Sequence, residues 1–219
     1  MAEFPASPIP AAEFFESFLP RAFAEAGLPD DLRAVEVRFG VCLVGAGGGE
    51  WLVHPRAGTL RVEPGTRAGA AVTVVQSVED WRGALWEGRG GEIGRQAAAV
   101  FQPGARTTSR VGELAAPLAA ALEQMQGLSG LLRMCVLDGD AGDWSLGVML
   151  GPGAIPSEPT TTVSLRAEDV EAMARGDLGP LEAFMGGRIQ VEGDVTLLMQ
   201  IQAIQMQAAL GRPSSGGRG

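Results

Sequence analysis

The chain has 219 residues, a formal net charge of −9 and 46% hydrophobic residues, with two cysteines and one histidine. That length admits one large domain or two of about 100–150 residues, and the apolar share supports a packed core without staples. Nucleic acid and anionic membrane surfaces are polyanions, so an acidic chain with no basic cluster is not expected to bind them, whereas a neutral apolar ligand meets no such repulsion.

Cys42 and Cys135 have no CxxC partner, and two cysteines are too few for a disulfide framework or a Cys-based zinc site. Met1 to Pro10 shows neither a basic n-region nor an apolar h-region. No run of about 20 apolar residues offers a membrane span. A cytoplasmic, thiol-reduced setting is the expectation, with at most transient membrane contact.

The first predicted element is an amphipathic helix. Phe14, Phe18, Ala22 and Ala26 recur at four-residue steps, with Phe15, Leu19 and Phe23 beside them, one stripe at the helical period. Pro20 is expected to kink that helix or to start its stable part. A strand follows in which Val35, Val37, Phe39, Val41 and Leu43 share one face, and Glu36, Arg38, Gly40 and Cys42 the other. A strand with one apolar face needs a covering layer, which the amphipathic helices supply. Gly45 to Gly49 read as a flexible hairpin, and a second strand opens at Glu50-Trp51. Ala71 to Val75 form a short strand, Ser77-Val78-Glu79-Asp80 starts a helix, and Gly88 stops it.

After a Pro-Gly connector between Phe101 and Ser109, the pattern runs again. Leu114, Leu118, Leu122 and Met125 repeat the helical stripe, with Pro117 inside it. Met134-Cys135-Val136-Leu137 ends in a Gly-rich turn, and Asp143-Trp144 opens the return strand. Thr161 to Leu165 form a strand, Arg166-Ala167-Glu168-Asp169 starts a helix, and Gly176 stops it. The two cysteines lie 93 positions apart (42 to 135), and so do Trp51 and Trp144. That shared spacing favours a duplication.

The second copy continues through Ala174-Arg175-Gly176-Asp177-Leu178 and Glu182-Ala183-Phe184-Met185-Gly186-Gly187, then Arg188-Ile189-Gln190-Val191-Glu192-Gly193-Asp194. This resembles the sterol carrier protein type two family, whose members show an Ala-Phe-x-x-Gly helix end, a Lys/Arg-Ile-x-Val-x-Gly-Asp strand and a final apolar helix. Here that helix is Val195 to Leu210. The resemblance implies an α+β fold of two tandem sterol-carrier-like domains, each a mostly antiparallel sheet of about five strands covered by helices. The expected boundaries are 10–103 for a divergent first copy and 109–210 for the lipid-binding copy. The tail 211–219, of Gly, Ser, Pro and Arg, cannot bury apolar area and is expected to be disordered. The first copy lacks the Arg-Ile-x-Val-x-Gly strand and a final apolar helix, so it reads as truncated, a partner completing an intramolecular pseudo-dimer; a homodimer is the other arrangement weighed.

Family members hold fatty acids, acyl chains or sterols in a tunnel between sheet and helices, so the resemblance implies a non-catalytic lipid carrier without a cofactor. The segment 195–211 carries no charged residue and is apolar on two stripes; such a helix buries both, or offers one to a ligand or a subunit. Candidate lining residues are Phe184, Met185, Ile189, Val191, Leu197, Met199, Ile201 and Ile204. Methionine is adaptable and suits a cavity that takes varied chains. The alternative function is a scaffold or accessory protein that presents a hydrophobic intermediate, such as an isoprenoid quinone precursor, to biosynthetic enzymes.

Catalytic and metal chemistry finds little support in the sequence. His54 is the sole histidine and reads as a surface or hydrogen-bonded side chain, with a Cys42–His54 pair as the less favoured reading. Both cysteines lie in apolar strands, where a thiol behaves as a small hydrophobe. The Gly45–Gly49 loop leads into a strand rather than a helix, so it lacks the N-terminal N–H groups of a phosphate cradle. The acids of Asp138 to Asp143 lack calcium-loop spacing and read as a solvated turn. Trp51, Trp81, Trp86 and Trp144 read as core or interface.

Overall fold

The computed structural model describes residues 3–26, 38–56, 59–99 and 127–210. The connector around Pro103, the second predicted helical stripe at Leu114 to Met125 and the tail 211–219 lie outside them. So do Val35 and Val37.

The N-terminal helix runs as α1 (Ala11–Glu13), a π-helical turn (Phe14–Phe18) and α2 (Leu19–Ala26). Proline has no N–H to give the carbonyl one turn back, and the wider turn lies immediately before Pro20. Four strands follow: β1 (Phe39–Val44), β2 (Gly49–Arg56), β3 (Thr59–Pro64) and β4 (Val72–Ser77). Then come α3 (Val78–Arg82), a second π-helical turn (Gly83–Glu87) and α4 (Gly91–Ala99). The second half supplies β5 (Gly130–Leu137), β6 (Trp144–Leu150), β7 (Thr161–Arg166), α5 (Ala167–Arg175), α6 (Pro180–Met185), β8 (Gln190–Gly193) and α7 (Val195–Leu210).

The expected helix stops hold, because Gly88 and Gly176 adopt left-handed C-caps (φ 73° and 81°), a conformation glycine takes without a side-chain penalty. The Gly45–Gly49 and Asp138–Asp143 segments are hairpin turns, joining β1 to β2 and β5 to β6. In the second, Asp143 Oδ1 accepts from the backbone N–H of Asp138, which sits at φ 57°.

Two separate five-stranded sheets are not what forms. The described strands make one mixed eight-stranded sheet in the order β3-β2-β1-β4-β6-β5-β7-β8. β1 and β4 are parallel, as are β5 and β7. The halves join where β4 pairs antiparallel with β6, Val75 opposite Gly147. In the second half, β7 is flanked by β5 and by antiparallel β8. In the first, β4 is flanked by β1 and by antiparallel β6. The strand missing from the first half is thus replaced by one borrowed from the second, which removes the open edge a truncated sheet would carry.

The cysteines occupy corresponding positions, Cys42 opposite Val75 and Cys135 opposite Ser164 across the parallel pairs. The tryptophans do not. Trp51 pairs with Val41, whereas Trp144 pairs with Val136, two residues beyond the counterpart of Val41. The longer second hairpin shifts the register by one same-face step, so the shared spacing of the tryptophans is not a structural equivalence.

The helix-covered face carries two hydrophobic clusters. In the first, Phe14, Phe15, Phe18, Leu19, Trp81 and Leu85 pack on Val41, Leu43, Trp51 and Val53. Phe15 stacks on Trp51 with ring centres 4.8 Å apart, and Phe14 meets Trp81 edge-on at 5.2 Å. The second gathers Leu132, Val136, Trp144, Leu150, Val163, Leu165, Val170, Leu197 and Ile201. Arg95 on α4 reaches Glu171 on α5 at 3.1 Å, and Arg67 donates to the Gly153 carbonyl, tying the halves together. On the opposite face Cys42, Leu52, His54, Thr73, Leu131 and Met149 are buried as well.

Candidate functional site

Two features of the second half stand next to each other in the chain, an apolar corner and a charged cleft. The corner is built by α6, β8 and α7. Gly179 and Pro180 open α6, where a first-turn proline costs no hydrogen bond. Asp194 caps α7, its Oδ1 accepting from the Thr196 N–H at 2.8 Å. The Thr196 side-chain hydrogen bond, and after it this backbone one, favour the ionised carboxylate and hold its pKa below the ordinary value.

Leu197 and Ile201 project from α7 into the second cluster, and Ile189 and Val191 pack against its rim. Ile204 is half-buried further along the same helix. Phe184, Met185 and Met199 point the other way, 54%, 80% and 65% exposed, beside Leu181 and Val195. The eight sequence-derived candidates therefore divide. Four meet in one cluster and three stand at the surface. Exposed large apolar side chains gathered on one segment mark a contact surface more often than isolated ones do.

The cleft, of about 440 Å³, opens at the end of β5 and β7 where α5 begins and the α6–β8 turn passes. Its walls are Leu137, Asp138, Ser164, Leu165, Arg166, Glu168, Asp169, Gly187, Arg188 and Gln190. Asp169 is almost fully buried, and Arg188 Nη1 donates to its Oδ1 at 2.7 Å. That bond raises the Arg188 pKa further. Arg166 Nε lies 3.7 Å from Asp138 Oδ2, an ion pair rather than a hydrogen bond. Arg188 stands in the run that carried the family resemblance, and Arg166, Glu168 and Asp169 in the helix start before it. Sequence reasoning passed over them as site residues because it sought an apolar lining.

The equivalent place in the first half is held by serines. Ser77 caps α3 by accepting from the Asp80 N–H, and Asp80 Oδ2 accepts from both Ser77 Oγ and Ser145 Oγ. Register places Ser77 with Arg166, Asp80 with Asp169, and Ser145 on β6 with Arg188 before β8. Two serines in one half are two arginines in the other.

His54 is buried and hydrogen-bonded, its Nε2 3.0 Å from Glu63 Oε1. Burial pushes both thiols above their ordinary pKa; Glu50 adds to the effect at Cys42, and the Ser164 hydrogen bond offsets part of it at Cys135. Among the described residues, no group of three or more His, Cys, Asp or Glu side chains could hold a metal ion, and no helix is long and apolar enough to cross a membrane.

Part of the chain is similar to known proteins. Residues 111–206 match the SCP-2 sterol transfer family, so one sterol-carrier-like domain is supported over that stretch, while a second copy at the N-terminal side is not confirmed. Hydroxysteroid dehydrogenase-like protein 2 of Xenopus tropicalis is 30% identical over 95 residues, 40% of this chain and 23% of that protein. Sterol carrier protein 2 of Rattus norvegicus is 26% identical over 92 residues, 39% of this chain and 17% of the relative. The chain thus spans less than a quarter of either curated relative. The solution structure of the sterol carrier protein domain 2 of Helicoverpa armigera matches at 26% identity and a TM-score of 0.30, covering 42% of this chain and 78% of that one. The match to a lipid-transfer family agrees with the expectation of a non-catalytic protein.

Proposed function

We propose that the chain is a non-catalytic lipid-binding protein that works as an accessory module, presenting an apolar ligand to other proteins. The observation that carries this reading is the divided corner of α6, β8 and α7. Leu197, Ile201, Ile189 and Val191 pack inward, while Phe184, Met185 and Met199 of the same segment remain at the surface. A chain laid along that corner is backed by the core on one side and stays reachable from the other. Each buried CH₂ contributes about 0.8 kcal/mol, so a chain of about a dozen carbons supplies on the order of 9 kcal/mol gross, before the cost of ordering it. No charged or catalytic group is needed for useful affinity.

The ligand belongs in the second half. The core of the first half is filled by the rings of Phe4, Phe14, Phe15, Phe18, Trp51, Trp81 and Trp86. A fatty acyl chain, a sterol or an isoprenoid quinone precursor all have the required apolar body. A closed carrier, with its ligand in a tunnel between sheet and helices, is the second reading; α7, apolar on two sides, favours it.

Titration of the full chain with cis-parinaric acid, followed by displacement with a saturated fatty acid, a sterol and a polyprenylated aromatic, tests the proposal. Saturable uptake reversed by at least one competitor is the expected result. No uptake from any of them contradicts both readings. Slow ligand transfer between vesicles, together with stable copurification of biosynthetic enzymes, favours presentation over carriage.

A further inference from the structure

We propose that the chain forms a two-fold dimer through the β3 edge of its sheet, with β3 of one copy running antiparallel to β3 of a second copy. The inference goes beyond the lipid-binding reading and does not rest on it, since β3 is the edge farthest from the second half.

The first observation is which backbone groups are free. β3 and β8 are the edges of the described sheet. The Gly65 N–H donates to the Glu50 carbonyl at 2.8 Å. Backbone groups alternate sides along a strand, so Arg61 and Glu63 also turn theirs toward β2, while Leu60, Val62 and Pro64 turn theirs outward. A row of unpaired groups on a sheet edge is a template for a further strand. β3 is six residues long with no left-handed residue in it, whereas β8 is four residues long and ends at Gly193 with φ 88°.

The second is the charge pattern. Leu60 and Val62 are half-buried on the helix side, and Arg61 and Glu63 are exposed on the other. Glu63 Oε1 lies 3.0 Å from His54 Nε2, which leaves its second oxygen for another partner. A two-fold pairing centred on Arg61 sets Arg61 against Arg61, and one centred on Glu63 sets Glu63 against Glu63. Centring on Leu60 runs Glu63 past the start of the facing strand. Centring on Val62 sets each Arg61 opposite Glu63 of the other copy. In that register each Val62 N–H reaches the facing Val62 carbonyl, and each Leu60 N–H the facing Pro64 carbonyl. Opposite charges directly across strands stabilise and like charges destabilise, so the Val62 register is the one selected.

The third is closure. β8 carries Gln190 and Glu192 at the matching positions and no cation, so it has no register in which opposite charges meet. Pairing β3 with β8 of another copy propagates into a fibre, whereas β3 with β3 is isologous and stops at two copies. The dimer doubles the width of the sheet and leaves both β8 edges, and with them both corners of α6, β8 and α7, at its outer ends. The net charge of −9 opposes association, but at physiological salt it is screened beyond about 8 Å.

Sedimentation equilibrium of the full chain over about 1–100 µM at physiological salt reads the assembly directly. The expected result is a monomer–dimer equilibrium that stops at twice the chain mass. Arg61→Glu alone and Glu63→Arg alone each set like charges opposite one another and should weaken the dimer at least roughly tenfold. Mixing the two variants restores both opposite-charge pairs, so a heterodimer should form where neither variant pairs with itself. Val62→Cys checks the register without altering a charge. Residue 62 faces its own copy at about 5.5 Å between α-carbons, within disulfide reach, so mild oxidation should cross-link Val62→Cys and not Leu60→Cys. That cross-link also supports the register if Glu63→Arg, which loses the His54 bond, does not fold. A monomer mass throughout, assemblies larger than two copies, a dimer that Arg61→Glu leaves unchanged, or no Val62→Cys cross-link overturns the inference. Lipid uptake enters none of these readouts, so its failure would overturn the lipid reading alone.

Discussion

Ser145 and Arg188 stand in the same position relative to their neighbouring helix starts, one holding Asp80 at 3.0 Å and the other holding Asp169 at 2.7 Å. The first bond joins β6 to the helix after β4 and so links the two halves of the sheet. The second closes the cleft around a buried carboxylate. Removing Ser145 Oγ deprives Asp80 of one of two hydroxyl donors, and Ser145→Ala should cost about 1–2 kcal/mol in chemical denaturation. Arg188→Met leaves Asp169 buried without its cation, so Tm should fall. Asp169→Asn in the same chain should recover part of that loss, because an unpaired buried charge costs more than the absence of both partners. Additive losses in the double variant would contradict the pairing.

The aromatic cluster of the first half predicts a stability effect separate from ligand binding. Trp81 is fully buried against Phe14, Phe15 and Trp86. Trp81→Ala should destabilise by about 3–5 kcal/mol, the usual loss for a large core aromatic. The folded fraction should still bind cis-parinaric acid with unchanged affinity. A variant that keeps its stability but loses the ligand would move the site into the first half.

Both thiols should be slow to react. Burial raises the Cys42 and Cys135 pKa values, and the thiolate is the reactive form. Iodoacetamide at about pH 8 should label the native chain at least roughly tenfold more slowly than the urea-unfolded chain. The sign for stability follows. A folded-state pKa above the unfolded value gives a contribution fully present below the unfolded value and lost as pH rises through the folded one. Tm should therefore hold from neutral pH to the ordinary thiol range and decline above it, and Cys42→Ala should flatten that decline.

The exposed side of α6 should matter for the ligand more than for folding. Phe184 and Met185 are at the surface, so Phe184→Ser and Met185→Ser should change stability by no more than about 0.5 kcal/mol. If those side chains cover a bound chain, each substitution should weaken lipid binding by roughly tenfold, the scale of burying one large apolar group. Unchanged affinity in both would place the ligand elsewhere.

Much of this was legible in the residues. Alternation in Phe39 to Leu43 gave the helix-facing side of β1, and the two glycines that stop helices do so through left-handed caps. The Arg-Ile-x-Val-x-Gly-Asp run is the β8 edge and the cap of α7. What escaped was the joining of the halves, because strand pairing between distant segments leaves no local pattern. The absent β8 counterpart was visible as a gap in the first half, but not that β6 would fill it. The tryptophan spacing misled, since a longer hairpin moved Trp144 one same-face step along the sheet. The cleft escaped for a different reason: a search for an apolar lining does not register arginines whose meaning depends on the serines they replace.

Native mass spectrometry of the gently purified full chain, followed by extraction and lipid analysis, tests lipid binding most directly. The expected result is a mass shift equal to one lipid per chain, lost on denaturation and recovered in the extract as a single class. A bare protein mass, with no shift after incubation with fatty acids, sterols and polyprenylated aromatics, would contradict it.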